Sequence, residues 1–338
     1  MAGHTVSSVD DRDRWDRLVA DFSGTPLLNS GWLESVSDER KRPVYLVFKR
    51  GGDVVGMIGG LEVAPSSNIL DRIGMYRSLF FYSGIAARDT GLLPDLMSDL
   101  IAHSRKEGYG KVTVRSWDYP YTFPFDHSDF KSSVRDEYII PVGDDYPRIR
   151  KRVKKTVRRY ANQAERKGAR FRQSRSEDLI PVLFSLIDQT RIERKDRGFD
   201  DYSHEYIPNI DEKVMSKLLK RKLGRFFYAE LDSEIVSIKF NISNGSRAFG
   251  IYTGTNSIGY ETHAGDFLAM KVLETLSGEG VQSLSIGGLP REGKEGLRYY
   301  KMSVGAEERK CQGGRSEFLQ GAHQRIPLTI IKKLRGGS

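Results

Sequence analysis

Ile251-Tyr-Thr-Gly-Thr-Asn256, then Ser257 to His263, then Ala264-Gly-Asp-Phe-Leu-Ala-Met270 is the stretch on which the fold turns. It reads as the end of a strand, a loop over Gly259–Gly265, and a helix over Asp266–Leu276. In that helix Phe267, Met270, Leu273 and Leu276 recur on one face, the helical period. Upstream, Arg225–Leu231, Ile235–Ile242 and Arg247–Gly254 alternate as strands, separated by the turns Asp232-Ser-Glu234 and Ser243-Asn-Gly-Ser246. Downstream, Val281–Ile286 is again strand-like. A meander that feeds a helix and then a further strand predicts an α/β (α+β) layer, with the helix crossing the sheet to a parallel strand.

The same order occurs earlier in the chain. Val44–Phe48 and Val54–Leu61 flank the turn Arg50-Gly-Gly-Asp53, a hairpin signature. Ser78–Ser83 is a third strand, Leu92–Arg105 carries a helical apolar stripe, Gly108-Tyr-Gly110 stops it, and Lys111–Arg115 follows as a strand. Two short helical patterns, Trp15–Phe22 and Trp32–Ser37, precede this copy. Recurrence at this length indicates a duplicated domain. The 338 residues also suit two domains of ~100–200 residues. The boundary is expected near Val142–Asp145, giving domains 1–142 and 143–338.

Composition narrows the function. The chain is 38% hydrophobic and 10% aromatic, enough for sizeable cores. The single cysteine, Cys311, excludes an intrachain disulfide framework and a multi-cysteine zinc site, and its Lys-Cys-Gln-Gly-Gly context reads as a free thiol in a strand end or loop. The histidines have no metal-ligand spacing, so no metal is expected. No apolar run approaches the ~20 residues of a bilayer span, and Met1–Asp13 lacks a secretory pattern. The expectation is a cytoplasmic protein.

The net charge of +9 is local: Arg148 to Arg172 holds twelve Lys or Arg against the one acid Glu165. One helix is predicted here, capped by Asp144 or Asp145, entered through Pro147, and striped by Ile149, Val153, Val157, Tyr160 and Ala164. Its cations, among them Arg150, Lys151, Lys154, Lys155 and Arg158, favour a polyanion: tRNA, a coenzyme A tail, a nucleotide-linked sugar or anionic lipid. The competing reading is a solvated amphipathic face. Helices are also expected over Glu177–Lys195 and Tyr206–Lys222. Arg191 and Arg194, three apart on one face with Lys195 and Arg197 close behind, are a candidate clamp for a phosphate or carboxylate of the acceptor, or simply cations at a helix C-terminus.

The order of elements resembles the GNAT acyltransferase fold, and its duplication resembles the Fem-type (peptidoglycan bridge-forming) aminoacyltransferases and related tandem acetyltransferases. Three stretches carry the likeness: Trp15 through Trp32; Tyr252–Asn256 with Ala264–Ala269; and Ile286-Gly-Gly288, Gly296-Leu297, Tyr300-Lys301 and Gly305. Two positions differ. Glu261-Thr-His-Ala-Gly-Asp266 replaces the usual Gln/Arg-led phosphate loop, and Ser285 stands where Fem-type enzymes often have Asp. The resemblance implies two tandem GNAT-like domains, each a mixed sheet flanked by helices, the first catalytically degenerate and acceptor-binding. It implies a donor site at Tyr252, Gly254, Thr255, Asn256, His263, Ala264, Gly265 and Asp266. Lys301 would stabilise an oxyanion or a phosphate, with Tyr300 lining the pocket. The implied activity is N-acyl transfer from aminoacyl-tRNA or acetyl-CoA to an amine of a cell-envelope precursor, nucleotide sugar or peptide, with no cofactor beyond the donor. The alternative is a non-catalytic protein that keeps the fold and binds RNA or an anionic membrane surface.

Overall fold

The computed structural model describes residues 4–65, 77–196, 198, 207, 210–289 and 294–317. The two hairpins form as the turn chemistry dictates. β1 (Thr5–Ser8) lies against β2 (Lys41–Arg50), which pairs with β3 (Asp53–Val63) through Gly51 and Gly52 at φ +60° and +95°. In the second half β9 (Gly224–Leu231) and β10 (Glu234–Ser243) join through Asp232 and Ser233, also at positive φ. Two-residue turns of this hand match the twist of the strands they connect.

Each hairpin leads to a parallel crossover. In the first half β4 (Ser78–Phe81), β5 (Ala86–Ala87), α3 (Leu93–Lys106) and β6 (Lys111–Val114) follow, with β4 and β6 parallel. In the second half β11 (Arg247–Thr255), the short α8 (Ser257–Glu261), α9 (Ala264–Gly278) and β12 (Ser283–Ser285) follow, with β11 and β12 parallel. Helices α1 (Arg12–Asp21) and α2 (Ser30–Ser35) open the chain, burying Trp15 and Trp32. Helices α6 (Leu179–Asp196) and α7 (Glu212–Lys220) cover one face of the second half. The expected start of α7 at Tyr206 falls outside the described residues.

Two long strands have no counterpart in the sequence reading. β7 (Lys131–Pro141) closes the first half and β13 (Glu307–Glu317) comes last. β13 lies antiparallel between β6 and β7, and β7 in turn pairs with β12. The described strands therefore make one sheet in the order β1-β2-β3-β4-β6-β13-β7-β12-β11-β10-β9-β8, where β8 is Arg170–Ser174 and β5 pairs with β3 off this path. Cys311 is buried in β13 rather than lying in a loop.

The basic stretch is also corrected. It forms two helices, α4 (Tyr146–Arg152) and α5 (Lys155–Arg166), broken at Val153, whose φ −71° and ψ 134° are extended. The break has a tertiary cause: the Lys154 N–H donates to the Ser303 carbonyl at 2.9 Å, at the end of α10 (Lys294–Ser303), and leaves the helical ladder. Of the apolar stripe, Ile149, Val153, Val157 and Ala164 are buried and Tyr160 is half-buried, with Ala161 buried beside it.

The halves are tied by buried polar groups. Asp118, after β6, accepts two bonds from Arg247 at the start of β11, Nη2 to Oδ1 at 2.6 Å and Nε to Oδ2 at 3.1 Å. Burial pushes the Asp118 carboxyl up, and the guanidinium pulls against it. Beside it, the buried Glu137 of β7 accepts from the Asp118 N–H at 2.7 Å, Ser285 Oγ at 2.5 Å and Arg135 Nη2 at 2.5 Å. A buried pair stripped of one partner leaves a charge with nothing to offset its desolvation. Arg247→Met is therefore expected to cost about 3 kcal/mol or more, read as a lowered urea midpoint; an unchanged midpoint would show that the pair does not hold the halves together.

Candidate active site

The sheet opens between β11 and β12. Their pairing covers three residues: Arg247 with Ser283, Ala248 with Leu284, and Phe249 with Ser285. Beyond that point each strand follows its other neighbour. β11 stays on β10, where the register jumps from Asn241–Gly250 to Phe240–Tyr252, so Ile251 is an extra, bulged residue. The continuation of β12 stays on β7: Ile286 N–H donates to Tyr138 O at 2.9 Å, and Tyr138 N–H to Gly287 O at 3.1 Å. A bulge bends its strand and interrupts regular pairing, and this one falls where contact with β12 ends. From Gly250 on, backbone groups of β11 that face away from β10 border a gap. The first half has no such opening. There β4 and β6 pair from Ser78–Lys111 to Phe81–Val114 and continue through Arg115 N–H to Phe81 O and Trp117 N–H to Tyr82 O, both 2.9 Å.

Lys301, on α10, reaches the β12 side of this gap. It is 7% exposed. Its Nζ donates to the carbonyls of Ile286, Gly287 at 2.9 Å and Gly288 at 2.8 Å. Three successive carbonyls converge on one ammonium because Gly287 takes φ +71°, open to glycine at little cost. Burial pulls the Lys301 pKa down to about 7, with Glu137 pulling the other way. Lys301, which the resemblance singled out as a stabiliser of an oxyanion or phosphate, thus fixes this run of carbonyls.

On the face covered by α9, three more groups gather. Lys239 of β10 points its Nζ to Thr253 Oγ1 of β11 at 3.4 Å. Burial pulls its pKa down to about 8, against the attraction of Asp266. Asp266, in the first turn of α9, is pushed up by burial to about 6, against Lys239. The Tyr300 hydroxyl is raised by burial, then by Asp266 and Tyr260, and so keeps its proton. Groups moved toward neutrality from both directions are what proton transfer near pH 7 requires. Sequence reasoning missed Lys239 and Glu137. The available signal was a charge inside a strand of apolar residues, Ile-Val-Ser-Ile-Lys239-Phe-Asn-Ile and Glu137-Tyr-Ile-Ile.

The other expected site residues divide. Tyr252, Gly254, Thr255 and Asn256 hold the frame. Tyr252 donates from its hydroxyl to Ile210 O at 3.0 Å. Gly254 abuts α6 so closely that a Cβ would lie 2.8 Å from the Ile187 nitrogen. Thr190 Oγ1 bonds both the N–H and the carbonyl of Thr255 at 2.9 Å. Asn256 caps α8 through Gly259 N–H at 2.8 Å and donates to Glu234 at 3.0 Å. His263 sits at φ +62° with its ring stacked 3.8 Å from that of Tyr160. Burial, Lys167 and Arg159 lower its pKa. Ala264 and Gly265 lie in the first turn of α9, whose N–H groups lack intrahelical acceptors and suit an anion.

Arg191 is half-buried on α6 and has a partner there, while the Arg194 side chain lies outside the described residues. Lys151, Lys154 and Lys155 are exposed, and Arg150 and Arg158 half-buried. The Lys154 ammonium lies 4.1 Å from the centroid of the Tyr299 ring, so the basic face adjoins the helix that carries Lys301.

Residues 151–302 match the family model of the GNAT acetyltransferase domain. Among solved structures the chain is similar to FemX, at 12% identity and TM-score 0.70, over 95% of this chain and 99% of that one. It is similar to L-PGS from Bacillus licheniformis, at 14% identity and TM-score 0.53, over 96% of both chains. It is also similar to a conserved protein of unknown function from Bacteroides thetaiotaomicron, at 11% identity and TM-score 0.53, over 92% of this chain and 99% of that one. Among curated proteins no sequence relative matches. Identities this low speak for the fold alone, a mixed α/β fold that the chain shares with FemX.

The Asp266 shift makes a stability prediction. Its folded pKa of about 6 lies above the ordinary 3.8, so its contribution is present below the ordinary value and lost as pH rises through the folded one. At pH 8 the native protein holds a poorly solvated carboxylate. Asp266→Asn is expected to melt higher than wild type there, with the gain fading toward about pH 4. A melting difference that does not change with pH would contradict the burial of this group.

Proposed function

Taking residues 151–302 as a GNAT domain on a Fem-type fold, we propose that the protein is an N-acyltransferase working at the gap between β11 and β12. The observation that carries this reading is the parting of those strands with Lys301 anchored at its edge. An activated acyl or aminoacyl group, carried as a coenzyme A thioester or a tRNA ester, is held with its carbonyl in the gap. The amine of the acceptor attacks the carbonyl carbon, the C–N bond forms, and the C–S or C–O bond to the carrier breaks. Backbone N–H groups of β11 beside Ile251 face the developing oxyanion, the role preorganised donors play best in a site closed to water. Lys301 holds the opposite wall and places its positive charge close to the same oxygen. Asp266, which ionises near pH 6, takes the proton that the ammonium must lose. Tyr300, kept protonated by burial, gives a proton to the leaving group and regains one from the nitrogen that has attacked.

The division of labour follows the two halves. Residues 143–338 bind the donor, and residues 1–142, whose equivalent strands stay closed, bind the acceptor and are catalytically degenerate. The acceptor class is an amine of a cell-envelope precursor, nucleotide-linked sugar or peptide. Arg191 and Arg194 are assigned the clamp on an anionic group of that acceptor, and the α4–α5 cations take a polyanion. The donor supplies the reactive carbonyl, and no further cofactor enters.

The donor is tested by direct comparison. Purified protein is titrated with acetyl-CoA and with charged and uncharged tRNA, and transfer to small amines is followed with each donor. One donor is expected to bind and to transfer. Polyanion binding without transfer from either would instead support a non-catalytic binding protein. With the active donor, Lys301→Ala is expected to lower turnover at least about tenfold while circular dichroism remains that of the folded chain. Unchanged turnover would remove Lys301 from the chemistry.

A further inference from the structure

Seven large apolar residues are exposed among the described residues, and four of them, Ile258, Tyr260, Tyr299 and Met302, lie on two short helices. These helices are α8, directly after β11, and α10, which follows the turn after β12. In chain order each helix thus follows one of the two strands that part. Tyr260 of α8 is near enough for its charge to raise the hydroxyl of Tyr300 on α10, after burial and Asp266. Tyr299 is 61% exposed even though the Lys154 ammonium lies 4.1 Å from its ring centroid. The break between α4 and α5 brings Lys154 against α10 through the bond from its N–H to Ser303 O, and Lys151 and Lys155 flank that break, all three exposed. The acids on α8 and α10 are Glu261 and Glu295.

We propose that the face formed by α8, α10 and the α4–α5 junction docks on an anionic phospholipid surface, with the gap opening toward it. The composition selects this partner. Aliphatic Ile258 and Met302 offer nothing to a phosphate backbone but gain by entering the acyl boundary. Tyrosines with a wet hydroxyl and an apolar ring favour the headgroup level. A cluster of cations beside them is drawn to a negatively charged leaflet. Docking in this sense brings the amine of a lipid-anchored acceptor to the catalytic cleft without a membrane-spanning segment. The proposal names the polyanion met by this part of the basic face, and it rests on the acyl-transfer reading only for the meaning of the orientation.

The test is co-sedimentation of the full chain with vesicles of phosphatidylcholine alone and with about 30% phosphatidylglycerol, at about 0.1 M salt. Binding is expected only to the anionic vesicles. Ile258→Ser with Met302→Ser, and separately Lys154→Glu with Lys155→Glu, are each expected to weaken it at least about fivefold without changing the melting temperature. If a double variant does not fold, Tyr299→Gln serves in its place with the same expectation. No binding, equal binding to neutral vesicles, or full binding by the apolar variant overturns the proposal. So does capture of a single-stranded RNA while vesicles are left unbound. Vesicle binding is read without turnover, so a protein that docks but transfers nothing refutes the enzyme reading alone, and one that transfers but does not dock refutes this proposal alone.

Discussion

The constraint on which the molecule depends is the competition for backbone partners at β11 and β12. Each strand has a second neighbour with a longer pairing: β10 for β11, and β7 for the chain leaving β12. Their mutual contact stops after Phe249–Ser285. The bulge at Ile251 turns one strand aside, and the turn at Gly287 carries the other to the Lys301 ammonium. Unpaired backbone groups inside a protein are costly, so an opening of this kind persists only when its walls are held from outside. Here α6 holds β11 through Thr190 and the close approach at Gly254, and Lys301 holds the Ile286–Gly288 carbonyls.

The strand exchange at the centre of the sheet serves the same end. β13 pairs with β6 on one side and β7 on the other, so the last described strand completes the first half and carries β7 to β12. Asp118–Arg247 and the Glu137 cluster then fix the joint in the layer next to the gap. Contacts of such long sequence separation form late, because loop closure must precede them. The geometry of the cleft is thus a property of the whole chain, although most of the cleft residues come from the second half.

Much of this was legible in the sequence because the signals were local. Gly51-Gly52 and Asp232-Ser233 mark hairpins by turn chemistry, and Phe267, Met270, Leu273 and Leu276 mark α9 by period. The resemblance carried by Gly296, Tyr300, Lys301 and Gly305 pointed to Lys301 as a stabiliser of an oxyanion or phosphate, and in the structure its ammonium holds the Ile286–Gly288 carbonyls. What escaped was set by distant partners. Nothing within Glu307–Glu317 says that it will lie between β6 and β7. The helix breaks at Val153 because the Lys154 N–H bonds a carbonyl about 150 positions along the chain. Tyr252 to Thr255 lie on β11 and Asn256 caps α8, but in a bulged strand the direction of each side chain cannot be read from alternation, and Tyr252, Thr255 and Asn256 are engaged in supporting the frame. Lys239 escaped because one cation in an apolar strand does not reveal which face it takes.

The most direct measurement is a structure of the protein with an unreactive analogue of its donor, acyl group in place. The carbonyl is expected between the backbone of Gly250–Thr253 and the Ile286–Gly288 turn, with β11 and β12 still apart and Lys301 still on its side of the opening. An acyl group bound in the first half, beside β4 and β6, or strands that zip together when the donor is present, would contradict the central claim.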